Sequence, residues 1–377
     1  MSLDIIAVEG RAALKRFVRL PNSLYRGMPG FVPHLTMERM GLLDPAKAPF
    51  FRHGEAQYWI AERDGIPVGR ISAQIDHAQP AEAFGNAGMF GCMDAADDAE
   101  AVAALIATAE AWLRGRGKEK VFGPCMLSMN EETGLLVDSF ERRPMIMVPW
   151  HPPYLEKLIL DCGYEPIRDL HFWELPHKTI EDYGGADRVA GFARKSGLTL
   201  RSLDRKHASR DIEIMRNVYN DAWRDNWGFV PLQPEDLDGI ANDLKPIIPP
   251  EAGMIVERDG APLGVAMVIP NIEDMTHDLG GDPSPLGWLR LGWRMLRRRY
   301  RSGRVILFGV AHECRDTVLG ALITAMMVAE LTARRSVQNL DLFEAGWVLD
   351  NNRRLVKMLE QAGAERVRTV RLFDKAL

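Results

Sequence analysis

Between Arg304 and Lys375 the chain switches between short apolar runs and longer, helix-spaced ones. Val305-Ile306-Leu307-Phe308-Gly309-Val310-Ala311 is rich in β-branched residues and too short for a helix, so it predicts a strand. A polar loop over 312–320 leads into 321–335, a segment dense in Ala, Leu and Met. Arg334 and Arg335 close it and suit a helix C-terminus. A second strand is expected over 339–344. Trp347 and Asp350-Asn351-Asn352 then lead into a helix ending at Ala362-Gly363, and 367–373 predicts a last strand. Strand, loop and helix in this order set backbone N–H groups at a helix N-terminus, where a pyrophosphate is stabilised.

The pattern repeats. Glu62-Arg63-Asp64-Gly65-Ile66-Pro67-Val68-Gly69 recurs as Glu257-Arg258-Asp259-Gly260-Ala261-Pro262-Leu263-Gly264, and Asp-Gly between strand-like runs predicts a hairpin in each. Cys162-Gly163-Tyr164 likewise matches Ala362-Gly363-Ala364. Two copies of one strand-rich lobe are therefore expected, 1–176 and 198–377, each a mixed α/β (α+β) sheet flanked by helices. The linker, 177–197, holds Asp182-Tyr183-Gly184-Gly185 and a short helix. In lobe one the loop before the long helix (97–117) reads Asp94-Ala95-Ala96-Asp97-Asp98, whose carboxylates would repel a pyrophosphate.

Each lobe carries an insertion. In lobe two, a helix over 286–301 is expected, with Leu289, Trp293, Leu296 and Tyr300 on one stripe and Trp288 beside it. Arg290, Arg294, Arg297, Arg298 and Arg301 form a second stripe. Such a helix reads as an element for an anionic membrane surface, over 286–304, or as a helix packed on its own lobe with the arginines meeting acids. In lobe one, Ser128, Asn130, Glu131 and Asp138 sit among long apolar side chains. That mixture fits a pocket for an apolar substrate with one polar end, or a surface loop with a capped turn.

Composition narrows the picture. Hydrophobic residues at 46% and charged ones at 26% describe an ordinary globular protein, long enough for two domains. A net charge of −5 argues against a nucleic-acid partner. Cys92, Cys125, Cys162 and Cys314 lack C-x-x-C spacing, and His and Cys do not cluster, so reduced thiols and no metal are expected. Met1-Ser2-Leu3-Asp4 lacks a signal-peptide pattern, and no apolar run nears the ~18 residues that span a bilayer. A cytoplasmic protein, held peripherally on the inner membrane in the lipid-surface reading, is the expectation.

The order of elements and the loop resemble the GNAT acyltransferases, whose Q/R-x-x-G-x-G/A loop cradles the pyrophosphate of coenzyme A. Here that loop reads Arg315-Asp316-Thr317-Val318-Leu319-Gly320; Arg315 and Gly320 fit, while Val318 replaces a glycine and Asp316 adds a negative charge. Leu359 stands where the family's last helix often supplies a tyrosine acid. Over its whole length the chain resembles a bacterial family of tandem GNAT-like proteins. Phe31-Val32-Pro33-His34, Pro49-Phe50-Phe51-Arg52-His53, the 134–138 run, Asn226-Trp227-Gly228-Phe229-Val230-Pro231 and Arg371-Leu372-Phe373 carry the likeness. Some members are labelled nucleotide pyrophosphohydrolases (dATP pyrophosphohydrolase), but this chain has no helix of clustered glutamates. Others look like the N-acyltransferase of bacterial ceramide synthesis.

The resemblance implies acyl-CoA as co-substrate, without a metal, and a lipid-like amine such as a sphingoid base as acceptor. It places coenzyme A at Val310, Ala311, Arg315, Val318, Gly320, Ala321 and Asn351. Glu344 is then the expected general base with His312 its rival, and N–H groups near Val310 and Ala311 would meet the oxyanion. Ser128, Asn130, Glu131, Trp288 and Trp293 would face the acceptor. Two other readings stay open: a catalytically inactive lipid- or protein-binding module, and an aminoacyl transferase of the Fem type.

Overall fold

A computed structural model describes residues 2–176, 186–237, 250–334, 340–349 and 351–377. It opens with β1 (Leu3–Ala7), α1 (Gly10–Leu24) and α2 (Thr36–Leu43), then the hairpin β2 (Gly54–Arg63) and β3 (Ile66–Asp76). Next come β4 (Ala87–Ala95), α3 (Ala99–Arg114), β5 (Lys120–Gly123), β6 (Leu135–Leu136), α4 (Leu155–Asp161) and β7 (Glu165–Pro176). The second half begins with α5 (Ala186–Lys195), β8 (Leu198–Ser202) and α6 (Ala208–Trp223), followed by the hairpin β9 (Gly253–Arg258) and β10 (Ala261–Pro270). It continues with α7 (Pro285–Leu296), β11 (Ser302–Val310), α8 (Val318–Ala333), β12 (Leu342–Leu349), α9 (Arg353–Gln361) and β13 (Glu365–Ala376). The expected Asp182–Gly185 stretch of the linker lies outside the described residues.

Two compact units result. Unit one is Met1–His171, Met275–Trp293 and Arg368–Leu377; unit two is Phe172–Asp274 and Arg294–Val367. These differ from contiguous lobes because hydrogen bonding outweighs chain order. The end of β13 pairs antiparallel with β5, Phe373 opposite Gly123, and with β6, Val370 opposite Leu136. The 275–293 segment is fastened to unit one where the Thr36 N–H donates to the Gly281 carbonyl (2.8 Å) and Arg19 meets Asp282 (2.8 Å).

Within unit one the strands run β1-β2-β3-β4-β5, antiparallel up to β4, with β4 and β5 parallel across α3. Within unit two, β8-β9-β10-β11-β12 repeats the same order, the parallel pair lying across α8. Both hairpins turn on Asp-Gly pairs with positive φ, Asp64 and Gly65 at 50° and 80°, Asp259 and Gly260 at 52° and 81°. That is the mirror-image turn whose twist matches a strand pair. The repeated glycines have a packing role. A Cβ on Gly69 would come within 2.9 Å of Leu105 on α3, and one on Gly264 within 2.5 Å of Ile323 on α8. Each long helix thus sits directly on its strand, over cores that include Ile71, Phe90 and Leu105 in one unit and Val256, Ile323 and Met327 in the other.

Local caps fix the helix starts. The Asp98 carboxylate accepts from the Ala101 N–H (3.0 Å) and is itself clamped by Arg63 (2.7 and 2.9 Å), so the N-terminus of α3 is filled by its own side chain. Asn352 caps α9 through the Leu355 N–H (3.3 Å). Two expected boundaries move. The strand expected over 339–344 is β12, Leu342–Leu349, which takes in Trp347; its pairing with β11 sets its start, and residues 335–339 and Asp350 lie outside the described ones. The helix expected over 286–301 ends at Leu296, and Tyr300 leaves the apolar stripe to become buried. Arg298 adopts φ 45°, which stops the helix.

Candidate functional site

In unit two, β11 and β12 pair from Ser302 opposite Leu342 to Val305 opposite Ala345, and no further. Both strands continue, β11 through Val310 and β12 through Leu349, so a crevice opens between their ends. Along it Val305, Ile306, Leu307 and Phe308 are half-buried. An aromatic group stands nearby: Trp223 donates its indole N–H to the Phe308 carbonyl (3.1 Å) and meets Trp347 edge-on at 6.3 Å between ring centroids. Tyr219 stacks on Trp223 (5.6 Å) and contacts Phe229 (5.7 Å).

Unit one has the same divergence and closes it. β4 and β5 pair from Ala87 to Met89 and then separate. The chain beyond β5 enters the gap: the Cys125 N–H donates to the Phe90 carbonyl (2.8 Å) and Gln74 donates to the Cys125 carbonyl (2.6 Å). A Cβ on Gly91 would collide with that carbonyl, so only glycine admits the segment. Strand ends must find hydrogen-bond partners once a neighbour leaves. Unit one supplies them from its own backbone; in unit two the Trp223 indole meets the Phe308 carbonyl, and β11 beyond Val305 has no backbone pairing to β12 among the described residues.

At the head of α8 the expected loop residues take mixed positions. Val310 ends β11, but the Ala311 N–H donates to the Leu263 carbonyl (2.8 Å), so this expected oxyanion donor is committed to the hairpin. Gly320 packs against the Cys314 carbonyl, and its N–H donates to the Thr317 hydroxyl (3.1 Å). Ala321 donates to the Thr317 carbonyl (3.1 Å), which leaves the Val318 and Leu319 N–H groups without a protein acceptor among the described residues. The Val318 side chain is 80% exposed. Arg315 donates to the Ala222 carbonyl at the end of α6 and to Asp225 (3.5 Å). Asn351 is exposed in the turn, where its neighbour Asn352 is the cap.

The two candidate bases differ. Glu344 is 1% exposed and stands opposite Arg304, 4.0 Å away, whose guanidinium also donates to the Gly346 carbonyl (3.1 Å). His312 lies at the surface with Nε2 3.0 Å from Asp225, and its backbone N–H donates to Asp221 (2.6 Å). Asp225 accepts the Nε2 proton, which leaves Nδ1 as the ring's lone-pair acceptor.

In unit one, Ser128, Asn130 and Glu131 form a tight turn. Ser128 Oγ accepts from the Asn130 N–H (3.3 Å), and the Glu131 N–H donates back to the Ser128 carbonyl (3.2 Å). Ser128 is buried in this turn, and Asn130 and Glu131 are half-buried. Behind this turn is a cavity of about 50 Å³ that the sequence reading missed, lined among others by His34, Arg39, Arg70, Asp94, Glu132 and His151. Arg39 donates to His34 Nδ1 (2.9 Å) and to Glu132; Arg70 donates to Asp94 (2.8 Å) and to the Phe17 carbonyl (2.9 Å). Burial and then Arg39 hold His34 down at about 3, and burial lowers His151 as well. Burial alone would raise Glu132, but Arg39 and His34 bring it to about 2. The sequence signals for it were His34 and Gly134 in the family-like motifs and Glu132 next to Glu131.

On α7 the apolar stripe is not packed away. Leu289 is 71%, Trp293 49% and Leu296 86% exposed, with Trp288 part-exposed beside them. The arginines are less free than expected, since Arg290 pairs with Asp278 (3.0 Å) and Arg301 with Asp341. Among the described residues no helix is long and apolar enough to cross a membrane.

No family model matches the chain. It is 34% identical over 364 residues to Protein YghO of Escherichia coli (strain K12), covering 97% of this chain and 93% of that protein. It is also 34% identical over 380 residues to Bacterial ceramide synthase of Caulobacter vibrioides, covering 100% of this chain and 98% of that one. The chain belongs to that bacterial family. Its fold is that of the tandem GNAT proteins: a tandem GNAT protein from the clavulanic acid biosynthesis pathway superposes with a TM-score of 0.60 at 12% identity, over 100% of this chain and 98% of that one. The family's resemblance motifs fall at structurally distinct places here, His34 and Gly134 at the cavity of unit one and Phe229 in the aromatic group of unit two.

Proposed function

We propose that the protein is an acyl-CoA-dependent N-acyltransferase acting on a lipid-like amine, with a sphingoid base the acceptor class suggested by the name of its Caulobacter relative. The observation that carries this reading is the open crevice between β11 and β12, set against the filled one in unit one. An extended pantetheine arm pairs with the free edge of a strand as a peptide would. The pyrophosphate then lies at the N-terminus of α8, against the Val318 and Leu319 N–H groups, with Arg315 within reach of it. Gly320 and Ala321 shape that turn, and Val310 borders the thioester. The aromatic group of Tyr219, Trp223, Phe229 and Trp347 provides an apolar wall for an acyl chain.

In the reaction the neutral amine nitrogen attacks the thioester carbonyl carbon, a C–N bond forms, and the C–S bond breaks to release the CoA thiolate. The amine's proton must leave, and the geometry favours His312 over Glu344 for accepting it. His312 presents Nδ1 while Asp225 holds Nε2, whereas Glu344 is buried against Arg304. Trp288 and Trp293 on the exposed stripe of α7 support delivery of the acceptor from an anionic membrane surface. The test combines a long-chain amino alcohol with acyl-CoA and follows thiol release together with amide formation by mass spectrometry. Release of CoA and appearance of the amide are expected; neither, with CoA binding absent by calorimetry, would leave the chain a non-catalytic family member.

A further inference from the structure

The cavity of unit one is not used by the acyl-transfer reading, yet it concentrates ionisable side chains from widely separated parts of the sequence. Its charges cancel. Among the lining groups Arg39 pairs with Glu132 and Arg70 with Asp94 (Glu38, outside the lining, also meets Arg39 at 3.3 Å), while both imidazoles are neutral at physiological pH because burial, and for His34 also Arg39, opposes their protonation. Placing an ion in a buried site that is already neutral costs several kcal/mol in desolvation without a free counter-charge to offset it. No group of three or more His, Cys, Asp or Glu among the described residues is placed to hold a metal ion.

The open hydrogen-bonding positions define a complementary shape. His34 Nδ1 accepts from Arg39, and His151 Nδ1 accepts from the Leu136 N–H (3.2 Å), so each ring carries its proton on Nε2 as a donor. Neither Nε2 has a protein partner among the described residues. Glu132 uses Oε1 on Arg39 and Asp94 uses Oδ2 on Arg70, so each carboxylate keeps one oxygen as an acceptor. Two donors and two acceptors are what two hydroxyl groups satisfy, since a hydroxyl accepts one bond and donates another. An ammonium would leave the imidazole N–H groups unmet, and an anion would face the carboxylates. At roughly 10–15 Å³ per water-sized occupant, the ~50 Å³ volume holds about four non-hydrogen atoms.

We propose that this cavity is a second ligand site, which takes a small uncharged head group bearing two neighbouring hydroxyls. It stands independently of the acyl-transfer site in unit two. The probe is ethane-1,2-diol, whose four non-hydrogen atoms match that volume, titrated into the full-length protein labelled with 15N at histidine. Saturable shifts of the His34 and His151 ring-nitrogen signals are expected, with no response to propylammonium chloride at the same concentration. Cys92 also lines the cavity, and Cys92→Met should fill it and reduce the diol response at least tenfold in affinity. The contrast between the two probes on the wild type decides the matter even should that variant fail to fold. No saturable response to the diol, or an equal response to propylammonium, overturns the proposal and leaves a water-filled structural network.

Discussion

The exposed stripe of α7 makes a quantitative prediction about membrane binding. Leu289 and Leu296 are 71% and 86% exposed, so replacing both with Gln removes almost no packing within the protein. Full burial of a leucine side chain is worth about 1.5–3 kcal/mol, and these exposures leave about 1–2 kcal/mol each to be gained in a lipid interface. The double variant should therefore lose about 2–4 kcal/mol of partition free energy, roughly 30- to 800-fold in the partition coefficient. The salt-dependent part should be smaller than the ~5 kcal/mol that five free arginines would bring, because Arg290 and Arg301 are already paired with Asp278 and Asp341. The assay is co-sedimentation with anionic vesicles at low and high salt, beside thermal unfolding in buffer. Unfolding should shift by no more than about 0.5 kcal/mol, as for other surface changes. Unchanged vesicle binding, or a large loss of thermal stability, would refute the reasoning and make α7 a packing element.

Other expectations follow from single contacts. His312→Gln should lower kcat at least about 100-fold with little change in the KM for acyl-CoA, whereas Glu344→Gln should act mainly through stability; kinetics paired with denaturant unfolding separates the two. Asp225→Asn should weaken the hold on both His312 and Arg315, so a partial loss of kcat with altered CoA affinity is expected by calorimetry. His34 has a folded pKa near 3, below its ordinary value, so the unfolded chain binds the extra proton first. Its stabilising contribution is complete above about pH 6.5 and is lost as pH falls towards 3, and His34→Asn should flatten the urea-midpoint profile over that range. Asp98→Ala removes the cap of α3 and a partner of Arg63, and should cost about 1–2 kcal/mol in unfolding free energy.

Much of the architecture was written locally. Asp64-Gly65 and Asp259-Gly260 specify their turns because those residues tolerate positive φ, and the recurrence of the surrounding octapeptide exposes the repeat. Asn352 marks the start of α9 for the same local reason, a side chain that reaches the backbone three residues on. The largely apolar α8 announced itself by composition. What depends on distant approach was not legible. Nothing near Cys125 states that its carbonyl will rest on Gly91 and close the crevice of unit one, while in unit two β11 is met past Val305 by the Trp223 side chain. The pairing of β13 with β5, which gives the chain's end to unit one, has no local signal. Glu131 and Glu132 are indistinguishable by type, yet Glu132 meets Arg39 and lines the cavity while Glu131 is not among its lining residues. Hydrogen bonds within a few residues follow from side-chain chemistry; those between residues far apart in sequence exist only once the sheet has brought their carbonyls, rings and guanidinium groups together.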